Sequence, residues 1–79
     1  MSKHYWHVTR ENETPSVVRH YKFLTKMFDF VLRNPKMFKD YDLVIYDHGE
    51  TIITITYEEI AEIVSKDLKE TEVRKLIRR

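Results

Sequence analysis

Residues Thr51 to Val64 read TIITITYEEIAEIV, and the period of the sequence changes in the middle of this stretch. Before Thr56, β-branched residues dominate and the reading is a strand. After Thr56, apolar residues recur at helical spacing. Thr56 and Glu59 form the T-x-x-E of a capping box, in which each side chain bonds the other residue's free backbone N–H. The strand therefore ends where a helix is nucleated. That helix runs from Tyr57 to about Ser65, with Ile60, Ala61, Ile63 and Val64 inward. Glu58, Glu59 and Glu62 lie in its early turns, where they suit the helix dipole.

Upstream, Asp42–Asp47 (DLVIYD) and Glu50–Tyr57 (ETIITITY) flank His48-Gly49, the signature of a type I′ hairpin. This register pairs Asp47 with Glu50, Tyr46 with Thr51, Ile45 with Ile52 and Val44 with Ile53. The first pair is like-charged, which argues mildly against it. The register puts Val44, Tyr46, Ile53 and Ile55 on one face and Leu43, Ile45 and Ile52 on the other. Both faces are then apolar, so one layer of helices leaves the other face bare as an association surface.

Further upstream, Tyr5–Arg10 (YWHVTR) alternates as a strand, with Trp6 and Val8 on one face. Thr14-Pro15 reads as the N-cap and first turn of a long helix, with Ser16 as an alternative cap. Asn34-Pro35 ends this helix after Arg33. Val17, Tyr21, Leu24, Phe28, Val31 and Leu32 form its apolar stripe, widened by Phe23, Met27 and Phe30. Its polar face is basic: Arg19, Lys22, Lys26 and Arg33. Pro35–Lys39 is one helical turn tucking Met37 and Phe38 under the domain. Downstream, Lys66–Lys69 is a turn. Glu70–Arg79 is a last helix with Val73, Leu76 and Ile77 inward. The expected fold is α+β, in the order β-α-β-β-α-α, with a small antiparallel sheet packed on the long helix and a C-terminal helical pair.

The chain of 79 residues makes one domain, 1–79. No cysteine is present, which excludes disulfides and thiolate metal sites and fits a cytoplasmic protein. The N-terminus lacks the apolar core of a signal peptide, and no apolar run approaches the roughly 20 residues of a membrane helix. The net charge of +1 hides three blocks: +5 over residues 1–39, −7 over 40–65 and +3 over 66–79. Residues 40–65 contain no lysine or arginine at all. Segregation of this kind predicts a dipolar surface. A single glycine excludes a phosphate-binding glycine loop and a nucleophile elbow. His4, His7, His20 and His48 lack metal-ligand spacing. No cofactor, metal or catalytic centre is expected.

Two binding functions remain. The segment TYEEIAEIVSKDLKETEVRKLIRR, Thr56–Arg79, places small Ala61 between Ile60 and Val64, and Val73 with Leu76 or Ile77 as anchor in the second helix. In these features it resembles the helix-turn-helix of transcription regulators, although Ser65 stands where the turn usually has glycine and Lys66 where an apolar residue is usual. The resemblance implies a regulatory DNA-binding protein, dimeric on DNA, with Arg74, Lys75, Arg78 and Arg79 near the groove. Arg19, Lys22, Lys26 and Arg33 would then contact phosphates. The alternative is a protein–protein interaction module that binds a host protein or a second copy. It would be a small inhibitor or adaptor of the kind found among phage and plasmid accessory proteins. Its interface would be the acidic, two-sided hairpin with Leu43, Ile45 and Ile52, together with Phe23 and Phe30.

Overall fold

The strand-to-helix joint forms as its sequence dictates. In the computed structural model, which describes residues 6–13 and 20–78, a strand ends at Thr56 and a helix begins at Tyr57. The Thr56 hydroxyl accepts from the Glu59 N–H and the Glu59 carboxylate accepts from the Thr56 N–H, both at 3.1 Å. Around this joint the chain folds as β1 (Trp6–Arg10), α1 (Leu24–Leu32), α2 (Pro35–Phe38), β2 (Asp42–Asp47), β3 (Glu50–Thr56), α3 (Tyr57–Ser65) and α4 (Glu70–Ile77). The fold is α+β, with a three-stranded antiparallel sheet in the order β1-β2-β3 and the helices packed on it.

The β2–β3 turn is type I′, with φ of 53° at His48 and 79° at Gly49. The expected pairs Asp47–Glu50 and Tyr46–Thr51 both form. Beyond them the register departs from the sequence reading, because Ile52 is extruded as a β-bulge and Ile45 pairs with Ile53. Residues directly opposite share a face, so the bulge moves Ile53 and Ile55 onto the same side as Leu43 and Ile45. Leu43, Ile45 and Ile55 then enter one buried cluster with Trp6, Phe28, Ile60 and Ile63. The two-sided apolar hairpin is thereby corrected: Leu43, Ile45, Ile53 and Ile55 share the helix-covered face, and Val44 stays on the other. On the opposite face His7, Thr9 and Val44 are also buried, and the His7 ring stacks on Tyr46 at 4.8 Å and meets His20 edge-on at 5.3 Å.

The long helix differs most from its expectation. Tyr21 is not helical; its backbone pairs with Trp6 through two hydrogen bonds of 2.8 Å. The helix begins only at Leu24, and its N-cap residue Phe23 offers no side-chain cap. The cap comes from 46 residues away, where the Glu70 carboxylate accepts from the Leu24 N–H at 2.7 Å. It also accepts from the Thr25 N–H at 2.9 Å. A carboxylate on these free donors satisfies them and meets the positive end of the helix dipole. At the other end, the Asn34 side chain donates to the Phe30 carbonyl and the Tyr57 hydroxyl donates to the Leu32 carbonyl, tying α3 to α1. The predicted caps Thr14, Pro15 and Ser16 lie outside the described residues, as do Tyr5, His4 and Val17.

Smaller corrections follow from which face of each short helix reaches the core. Phe38 is buried as expected but Met37 is exposed, since a single turn can bury only one side. In α3, Ile60 and Ile63 are buried while Val64 is exposed and Ala61 is half-buried. Val73 and Ile77 are buried in α4, with Leu76 packed at the margin of the core.

The Glu70 cap has a measurable consequence. Burial alone would raise its pKa, but hydrogen bonds from Thr25, Leu24 and Arg74 outweigh burial and lower it below the ordinary 4.5. Its contribution is therefore full above pH 4.5 and is lost as the pH falls through the lower folded value. Glu70→Ala is expected to cost about 1–3 kcal/mol in urea unfolding at neutral pH. It should also flatten the acid limb of the stability curve.

Candidate protein-interaction surface

The basic residues are the first to be placed. α4 carries Arg74, Lys75 and Arg78 on one short stretch, but two of the three are held within the molecule. Arg74 donates to Glu70 at 2.9 Å, the same carboxylate that caps α1. Arg78 reaches back to the sheet and donates to Asp47 at 2.6 Å, with its guanidinium 5.7 Å from the Trp6 ring centre. Asp47 is only 8% exposed, so this pair supplies a counter-charge exactly where the hairpin sets Asp47 beside Glu50. Lys75 is exposed. Arg79 and Arg19 lie outside the described residues.

The basic stripe does not form as one helical face. Lys22 precedes α1, with its amine 5.7 Å from the Phe23 ring centre, and Arg33 follows the helix, paired with Asp29 at 3.1 Å. Only Lys26 sits inside the helix, exposed. The late start of α1 is the physical reason. The helix pair also departs from a helix-turn-helix arrangement, since α3 and α4 each pack on α1 more closely than on one another. Ala61 is half-buried rather than locked at a crossing.

Of the expected interface residues, Leu43 and Ile45 are fully buried, which removes them from any surface. Phe30 is half-buried between Tyr21 and Phe38, with ring centres 5.8 and 5.7 Å away. Ile52 is half-buried at the bulge, and Phe23 is exposed.

What the fold brings together instead lies along β3. This strand is an outer strand of the sheet, and its Thr51 and Thr54 are exposed. Beside it an open groove of about 220 Å³ runs between β3, α3 and α4. Its floor is Ile53, Ile55, Ile63, Leu76 and Ile77. Its rim carries Glu59, Glu62 and Lys66. Glu59 is fixed in place by the capping box, and Glu58 and Glu62 are exposed on the same helix. A second groove of about 290 Å³ lies on the other side of α3, against α1, with Phe28, Val64 and Leu68 among its walls. Among the described residues no cluster of three metal-ligating side chains occurs, and no helix is long and apolar enough to cross a membrane. Sequence reasoning found the acidic block and the apolar strand. It missed the groove, because Leu76 and Ile77 reach β3 only through the tertiary docking of α4.

No protein-family model matches this chain, and no curated protein or solved structure matches it either.

Two substitutions separate structural from surface cations. Arg78→Ala is expected to destabilise the fold by about 1–2 kcal/mol, because it removes a counter-charge of a buried carboxylate. Lys75→Ala should stay within about 0.5 kcal/mol of the parent. The buried histidine gives a pH signature. Burial first, then the neighbouring His20, lowers the pKa of His7 below 6.5, and neither of its ring nitrogens has a hydrogen-bond partner among the described residues. The unfolded chain therefore takes up this proton first, and stability falls as the pH drops from 6.5 through the folded value. His7→Phe keeps a ring on Tyr46 and should remove that slope in thermal unfolding measured across pH.

Proposed function

We propose that this chain is a small non-enzymatic protein-interaction module, an inhibitor or adaptor that takes a basic, aliphatic segment of another protein against β3, α3 and α4. One observation carries the reading: an outer strand that is uncharged from Thr51 to Thr56 lies beside an apolar groove whose rim carries Glu59 and Glu62 against a single cation, Lys66. Aliphatic side chains of the partner would bury on the half-buried Ile53 and Leu76, and its cations would face Glu59 and Glu62. The cytoplasmic location expected from a cysteine-free composition belongs with this reading.

DNA binding is the second reading, drawing on exposed Lys75 and Lys26 together with Lys22 and Arg33. It has less support, since Arg74 and Arg78 neutralise Glu70 and Asp47. The acidic face of α3 would also repel phosphates brought near α4.

The two readings respond oppositely to Glu62→Lys, an exposed substitution that leaves the capping box intact. As a protein module, the tagged full chain should capture a discrete partner, and Glu62→Lys should lose it with an unchanged melting temperature. Random duplex DNA should not bind at low salt. Salt-sensitive DNA binding that Glu62→Lys strengthens and Lys75→Glu abolishes would overturn the protein reading.

A further inference from the structure

We infer that the partner segment joins this protein as a fourth strand, hydrogen-bonded along the outer edge of β3. The inference rests on the interaction reading above and specifies how the partner is held. The two edges of the sheet differ. On the outer side of β1, the backbone of Trp6 is paired with Tyr21. On the outer side of β3, no backbone hydrogen bond is made among the described residues short of Thr56, whose N–H is taken by Glu59. Alternate N–H and C=O groups of an edge strand point outward and are a template for another strand.

Proteins usually blunt such an edge with lysine, proline, an inward charge or a β-bulge. From Thr51 to Thr56 this strand reads TIITIT, with no charge and no proline. Every one of these residues is β-branched, so the edge is held in the extended form that pairing needs. The bulge at Ile52 breaks the edge at one end, so pairing is confined to the regular stretch Ile53 to Ile55.

Strand addition also explains the groove. An added strand would send alternate side chains to the face that carries Ile53 and Ile55, and there the groove runs on to Leu76 and Ile77. The other side chains would lie beside Thr51 and Thr54, where polar residues are tolerated. The partner is thus an extended segment alternating aliphatic with small polar residues and flanked by lysine or arginine.

Charge selects against a second copy of this chain. Antiparallel pairing of two β3 strands about Ile53 would set Glu50 of each opposite Thr56 of the other, next to its Glu58 and Glu59. Like charges would meet at both ends of the joint. A cationic strand meets the opposite sign there.

The test uses the intact chain, labelled with nitrogen-15, and capped peptides of alternating valine and threonine. One peptide is flanked by lysines and one by glutamates. A third is lysine-flanked and N-methylated at alternate residues on the edge that faces β3. The lysine peptide should shift the amides of Thr51 to Ile55 and slow hydrogen exchange at the outward-pointing ones, that of Thr54 above all. The glutamate peptide should bind about tenfold more weakly or worse. The N-methylated peptide should lose the β3 shifts. Equal binding of the N-methylated peptide, or no response of β3 at millimolar lysine peptide, overturns strand addition. So does a free protein that is dimeric by light scattering with the outward amide of Thr54 already protected, because a second copy then holds the edge. Loss of partner capture in Glu62→Lys, combined with a silent β3, would retain the interaction module and reject this mode of binding.

Discussion

The carboxylate of Glu70 on the first turn of α1 is the contact that the remaining architecture depends on. α1 is the hub of the molecule: β1, α2, α3 and α4 all pack against it. Yet Phe23, the residue before it, supplies no cap of its own. Leu24 and Thr25 donate instead to a side chain at the start of α4, and Arg74 holds that side chain in position. A helix with uncapped, partly buried N–H groups is costly. α1 therefore begins where α4 docks, and the first and last parts of the chain stabilise one another cooperatively.

A second constraint acts in the sheet. The side-chain period of a strand is two, so a one-residue shift transfers all later residues to the other face. The bulge at Ile52 makes that shift in mid-strand. It brings Ile53 and Ile55 onto the face of Leu43 and Ile45, leaving Val44 on the other. The strand order β1-β2-β3 leaves β3 as an outer strand. The candidate surface follows from this, since Ile53 and Ile55 reach the groove only in the bulged register.

The charge blocks were plain in the sequence, but their effect was not. The basic C-terminal block does not stand apart from the acidic middle. Arg78 crosses 31 residues of chain to meet Asp47. The like-charged Asp47–Glu50 pair at the end of the hairpin is accommodated in this way. The cations that suggested a nucleic-acid face are thus partly spent inside the fold, while the acids of α3 remain at the surface. The proposal of a cationic protein partner rests on this difference.

By itself, the sequence determined the elements whose signals are local. The capping box at Thr56 and Glu59, the type I′ turn at His48-Gly49 and the stop at Asn34-Pro35 each act within a few residues, and all are observed. So is the α+β order of strands and helices. Only the tertiary structure decided where α1 starts, where β3 bulges, which arginines are paired and where the groove lies. Each of these depends on groups that are distant in sequence and meet after packing: Glu70 with Leu24, Trp6 with Tyr21, Arg78 with Asp47. Local propensity is worth only tenths of a kcal/mol per residue, about the size of what one such contact can override.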